Sequence, residues 1–98
     1  MELGRVVGTV VSTIKAPGLT SFKLLMVSPL AEAQAAEMSK APIVAIDLAG
    51  AGEGEVVLVS TGSAARIVHG TEAAPTDAAI VAVVDSVQLG DRTLYRKG

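Results

Sequence analysis

No cysteine occurs in these 98 residues, so neither a disulfide nor a thiolate metal site can hold the chain together. Histidine occurs once, at His69, which leaves no material for a histidine cluster around a metal. Tryptophan is absent, and the only aromatic residues are Phe22 and Tyr95. Single-stranded nucleic acids are usually held on several such rings above a basic groove, and a net charge of −2 supplies no such groove and no attraction to an anionic membrane. Long hydrophobic runs are missing as well. "AAIVAVV", residues 78–84, falls far short of the roughly 20 residues that cross a bilayer. The opening "MELGRVVGTVV" is interrupted by Glu2 and Arg5 and lacks the apolar core of a signal peptide. These absences predict a soluble cytoplasmic chain with no membrane or nucleic-acid partner.

Half of the residues are hydrophobic, drawn mostly from valine, alanine, isoleucine and leucine. The length corresponds to one domain over residues 1–98. A chain this short buries only roughly 60–65% of its unfolded surface. With disulfides and metals excluded, oligomerisation is the remaining common support for a small domain.

The pattern along the chain is that of short strands. "RVVGTVVSTI" (5–14) is β-branched, with Gly8 marking a bend or bulge. After the Pro17-Gly18 turn, "FKLLMVSPL" (22–30) is a second strand. "IVAIDL" (43–48), "EVVLVST" (55–61) and "IVAVVDSVQL" (80–89) follow, and Gly90-Asp91 turns the chain back into "RTLY". "AEAQAAEMSKAP" (31–42) reads as an exposed connection with one or two helical turns. Ser63 is placed to cap another short helix. Five or six strands in so short a chain predict a small all-β barrel or sandwich. In the first strand Val6, Val10 and Ile14 fall on one face, and Val7 and Val11 on the other. "IVAVV" is likewise apolar on both faces. One small chain cannot bury both faces of several strands, so neighbouring subunits are expected to cover the outer ones; central strands in a single chain are the alternative.

Three glycines at 50, 52 and 54 interrupt this pattern in "DLAGAGEGEVVLV" (47–59). A phosphate-binding loop of that look must lead into a helix, whose N-terminus meets the phosphates. Here a strand follows, no Gly-Lys-Ser or Gly-Lys-Thr triplet occurs, and Glu53 and Glu55 would repel a phosphate. The glycines are instead expected to form a tight loop between two adjacent strands, by adopting positive φ or by letting backbones approach closely. Catalytic groupings are no better supplied. Ser60, Ser63 and Ser86 have only His69 as a candidate base, and Asp47 and Asp85 each end an apolar strand, where carboxylates usually cap turns or meet an arginine. Arg66 is the available arginine. No catalytic residue, cofactor or metal ligand is assigned.

The segments taken in order resemble the bacterial microcompartment vertex proteins, the pentameric shell subunits of carboxysomes and metabolosomes. "GRVVGTVVSTIK" is similar to the family's opening strand and "KLLMVSPL" to its second. "IVAIDLAGAGEGEVVLVSTGSAAR" resembles its central signature and "PTDAAIVAVVDSV" its last core strand. The alanine-rich 31–42 departs from it. The resemblance implies an OB-like barrel, a cyclic homopentamer and a structural, non-catalytic role in the shell. The implied partners are further copies of the chain and hexameric or pseudohexameric shell proteins. It also implies that small residues gather at subunit contacts or around an axial opening. The candidates are Asp47, Gly50, Ala51, Gly52, Gly54, Glu55, Gly62, Ser63, Ala64, Ala65, Arg66 and Asp85. Arg66 is the candidate assembly residue, its planar fork of donors suited to Asp47, Asp85 or Glu55.

Two other readings stay open on the residues alone. An OB-like single-stranded nucleic-acid module would have Arg92, Arg96 and Lys97 as its basic cluster, although such short tails are usually solvated. A small oligomeric enzyme would depend on Asp47 or Asp85. Salt-dependent binding of single strands, or turnover lost on changing either aspartate, would distinguish them.

Overall fold

Seven strands form in the computed structural model, which describes residues 1–12, 22–30, 42–62 and 77–98. They are β1 (Glu2–Val10), β2 (Lys23–Pro29), β3 (Ile43–Asp47), β4 (Val56–Thr61), β5 (Ala78–Val83), β6 (Ser86–Leu89) and β7 (Arg92–Arg96). The first five close into a barrel in the order β1-β2-β3-β5-β4. All its pairings are antiparallel except β3 with β5, which run parallel with Ile46 opposite Ala79 and Asp47 opposite Ile80. The all-β barrel expected from the sequence is present. The helical turns expected within 31–42 and at Ser63 lie outside the described residues.

The period of two along each strand sorts its residues between two environments. Val6, Leu25, Val27, Ala45, Val57, Val59, Ala78 and Ile80 fill the barrel, joined by Ala51 from the loop after β3. The alternate residues form a second cluster on the outer wall. There Ile46 and Ala79 are buried, and Phe22, Leu24, Leu48 and Val81 are partly buried against them. Further along the same wall Val7, Met26 and Val44 are exposed. Apolar residues therefore occupy both faces of the strands, and the described residues of one protomer cover the outer face only in part.

Gly8 does mark a bulge: the β1–β2 register shifts between Val6 and Gly8, which leaves Val7 as the extra residue. Gly4 has a different role, one that the sequence did not reveal. It pairs with Pro29 on one side and Val57 on the other. A Cβ there would collide with Val27 Cγ1 and approach the Ser28 carbonyl oxygen to 3.2 Å.

Two expectations change. The single strand over 80–89 is two strands, separated at Val84 and Asp85. Val84 donates its N–H to the Val56 carbonyl at 2.8 Å, the last bond to the barrel on this stretch. The chain then leaves to form the β6–β7 hairpin, a separate two-stranded sheet. The turn at Gly90, whose φ is 62°, is where the Gly90-Asp91 signal placed it. Second, the glycine loop does not join adjacent strands. β3 and β4 are consecutive in sequence, but β5 lies between them in the barrel.

Candidate functional site

Asp47 ends β3 and organises the loop that follows. Its Oδ1 accepts the backbone N–H groups of Ala49, Gly50 and Ala51 at 3.0, 3.1 and 3.2 Å, and its Oδ2 accepts Ala51 again at 3.0 Å. A short acidic side chain at a strand end can satisfy the following donors in this way, which favours a tight turn. The turn lowers Ala51 into the barrel core. Gly50 and Gly54 have φ of 74° and 90°, a region side chains adopt only at a cost. Gly52 does not share that need. Among the described residues an added Cβ would meet only Glu55 Oε1, at the ordinary contact distance of 3.6 Å.

Glu55 closes the other end of the loop. Its Oε1 accepts the Gly52 N–H at 2.7 Å, and its Oε2 accepts Lys97 Nζ at 2.7 Å. The loop is also joined to β1. Gly54 donates to the Val6 carbonyl at 2.8 Å, Val6 donates to the Glu55 carbonyl at 2.9 Å, and Arg5 Nη1 reaches the Gly54 carbonyl at 2.8 Å. Lys23 Nζ donates to the Ala51 carbonyl at 3.2 Å.

Arg5 also lies over the ring of Tyr95, 5.7 Å from its centroid, and Lys97 donates its backbone N–H to the Asp85 carbonyl at 2.8 Å. The hairpin is thus latched to the glycine loop by an ion pair and to β1 by a cation–π contact. The basic C-terminal tail is not simply solvated, because Lys97 is committed to Glu55. Both aromatic rings are occupied too, Phe22 in the outer cluster and Tyr95 beneath Arg5, so neither is an open platform for a base.

The latch has a defined pH window. The bond from Lys97, and then that from Gly52, hold the Glu55 pKa below its ordinary 4.5. The same bond from Glu55 holds Lys97 above its ordinary 10.5. A lowered acid stabilises fully above its unfolded value and stops doing so as pH falls through the lowered one. A raised base stabilises fully below its unfolded value and stops as pH rises through the raised one. The latch should therefore stay intact from mildly acidic to mildly alkaline pH. An NMR titration of the Glu55 carboxyl should show a midpoint below 4.5, moving up in Lys97→Met; a midpoint unmoved by that substitution would remove the ion pair from the account.

The predicted site residues divide into four groups. Asp47, Gly50, Ala51, Gly52, Gly54 and Glu55 are brought together in one loop. Gly62 follows β4, with φ of 69° and its N–H on the Asp77 carbonyl at 2.8 Å. Asp85 is exposed beyond β5. Ser63, Ala64, Ala65, Arg66 and His69 lie outside the described residues. Asp47 and Asp85 do not form an acid pair. Asp47 is level with Ile80 on the parallel strand, and Asp85 comes five residues later, past the end of β5 at Val83, about 16 Å further along an extended chain at roughly 3.3 Å per residue. Of the three acceptors considered for Arg66, Asp47 and Glu55 already have both oxygens engaged. Among the described residues no group of three or more histidine, aspartate or glutamate side chains gathers, and no helix is long and apolar enough to cross a membrane. Arg5, Lys23, Tyr95 and Lys97 were missed as members of this site. Arg5, Lys23 and Lys97 meet the loop from distant parts of the sequence and Tyr95 meets Arg5, and no local motif marks such a meeting.

Comparison with known proteins bears on this arrangement. The family model described as Ethanolamine utilisation protein EutN/carboxysome matches residues 1–85. The carboxysome shell vertex protein CcmL of Nostoc sp. is 43% identical over 97 residues, covering 99% of this chain and 95% of that protein. The solved structure of Nostoc CcmL superimposes with a TM-score of 0.88 at 44% identity, covering 99% of this chain and 100% of the other. The GrpN pentameric microcompartment shell protein of Rhodospirillum rubrum superimposes with a TM-score of 0.79 at 43% identity, covering 92% and 100%.

Proposed function

Because the chain belongs to the Ethanolamine utilisation protein EutN/carboxysome family, we propose that it is the vertex subunit of a bacterial microcompartment shell, acting as a homopentamer. The observation that carries this reading is the end-to-end likeness to a carboxysome shell vertex protein, over 99% of this chain in both sequence and structure. The role is geometric. Six-fold tiles alone make a flat sheet, and five-fold units introduce the curvature that closes it. The chain resides in the cytoplasm as part of that shell, and residues 1–98 serve as one vertex domain. Its partners are four further copies of itself and the hexameric or pseudohexameric proteins of the facets. It catalyses nothing and holds no cofactor.

The physical features support the same reading. A cyclic ring uses a heterologous interface, in which two different patches of each copy meet. The partly covered outer wall of the barrel offers apolar surface for that purpose. We assign the glycine loop and the small-residue segment 62–66 to the subunit contacts or the axial opening, with Arg66 as an assembly residue. Gly52 fits this assignment, since among the described residues an added Cβ would make only an ordinary contact, which leaves room there for a neighbouring backbone.

The test is shell closure. Facet proteins should be produced in a host lacking its own vertex protein, with and without this chain, and the particles imaged by electron microscopy. Closed polyhedra are expected only with the chain present. Open or elongated shells in both cases would refute the assignment.

A further inference from the structure

The hairpin β6–β7 lies beyond the residues that the family model covers, and it pairs with no strand of the barrel. A two-stranded hairpin alone is marginal in water, so what its faces contact matters. In an antiparallel pair, directly opposed residues share a face. Val87 opposes Tyr95 and Leu89 opposes Arg92, while Ser86 opposes Arg96 and Gln88 opposes Thr93. One face therefore carries Val87, Leu89 and Tyr95, with Arg92 beside Leu89 at its end, and the other carries Ser86, Gln88, Thr93 and Arg96. The apolar face is covered at its root, where Arg5 lies over Tyr95. It is open at its tip, where Leu89 is 62% exposed.

A second apolar surface lies on the outer wall of the barrel. Met26 opposes Val44 across β2 and β3 and Gly8 across β1 and β2, beside the bulged Val7. Met26, Val7 and Val44 are 36, 38 and 47% exposed. Gly8 adds to the opening by presenting no side chain beside Met26.

We propose that the tip of the hairpin, at Leu89, docks on the Val7–Met26–Val44 surface of a neighbouring copy of this chain. The inference rests on the homopentamer reading and extends it by naming the two surfaces that meet. A ring contact must join two different patches, and these are two unlike apolar patches on one protomer, one projecting and one broad. The hairpin root is bonded to the glycine loop through Lys97–Glu55, so the contact is continuous with the segment already assigned to the subunit boundary. The latch ties the root of the arm to that loop. A single leucine is a small contact, but a closed ring repeats it at every boundary, so the contacts act together.

The absence of native cysteine makes the test direct. The double variant Leu89→Cys/Val44→Cys and its two single-substitution controls would be oxidised and run on non-reducing gels. A second pair, Leu89→Cys/Met26→Cys, allows for a small offset in register. Native mass spectrometry on the reduced proteins would first establish whether each variant is pentameric, so that failure of the ring and failure of the docking are told apart. The expected result is a ladder reaching five covalently joined chains in at least one double variant, and no further than dimers in the controls. Intact reduced pentamers that yield only monomers on oxidation in both pairs would overturn the proposal. So would a fast-migrating, internally linked monomer, which would place the tip against its own barrel. Ladders only when facet proteins are added would assign the tip to a different partner and equally overturn it.

Discussion

Gly4→Ala should destabilise the protein by about 1–3 kcal/mol, the usual range for forcing an extra methyl into a filled core. In a domain of this size that corresponds to a fall in Tm of roughly 4–8 °C per kcal/mol. The new Cβ would meet Val27 Cγ1 and, at 3.2 Å, the Ser28 carbonyl oxygen. Neither can yield easily. Val27 is 1% exposed and belongs to the barrel core, and the carbonyl is part of the β2 backbone. Gly4→Val should be worse, leaving little folded protein. Gly8→Ala is the matched control in the same strand, because among the described residues a Cβ there meets only the Met26 Cβ, at an ordinary 3.9 Å. It should shift Tm little. Equal effects of the two alanine substitutions in thermal melts would contradict the close packing assigned to Gly4.

Asp47→Ala should cost a similar amount, about 1–3 kcal/mol, through a single exposed-to-buried contrast among its partners. Ala49 and Gly50 are exposed, so their N–H groups can turn to water once the carboxylate is gone. Ala51 is 1% exposed, and its N–H would lose both of its acceptor oxygens. An unsatisfied buried donor costs about 1–3 kcal/mol. Because Ala51 also fills the barrel core and its loop is assigned to the subunit boundary, the substitution should lower the pentamer fraction at low concentration as well as Tm. Asp91→Ala, in the exposed turn between β6 and β7, is the control. Matching melts and matching native mass distributions for the two variants would deny Asp47 its organising role.

What could be read from the sequence was mostly local. The bulge at Gly8, the turn at Gly90, the capping habit of Asp47 and most strand segments depend on residues a few positions apart and are present, although the first strand, expected over 5–14, runs from Glu2 to Val10. The break at Val84 and Asp85 was hidden because "IVAVVDSVQL" keeps a strand-like composition while it passes from one sheet to another. Hydrophobic pattern records burial and not which sheet receives the strand. The separation of β3 from β4 was hidden for the same reason, since β5 arrives between them from residues 78–83. Gly4 looks like any glycine near a chain start; its constraint comes from Val27, on another strand. Lys97 and Glu55 are 42 positions apart, so their pairing left no spacing to read. The sequence points to the small-residue loop as a contact candidate, but not to the basic side chains that fix it to β1, β2 and the hairpin.

The central claim is that five copies of this chain form one closed ring. Native mass spectrometry of the intact protein at micromolar concentration tests it most directly. One dominant species with the mass of five chains is the predicted result. A stable, monodisperse monomer at that concentration would contradict the claim.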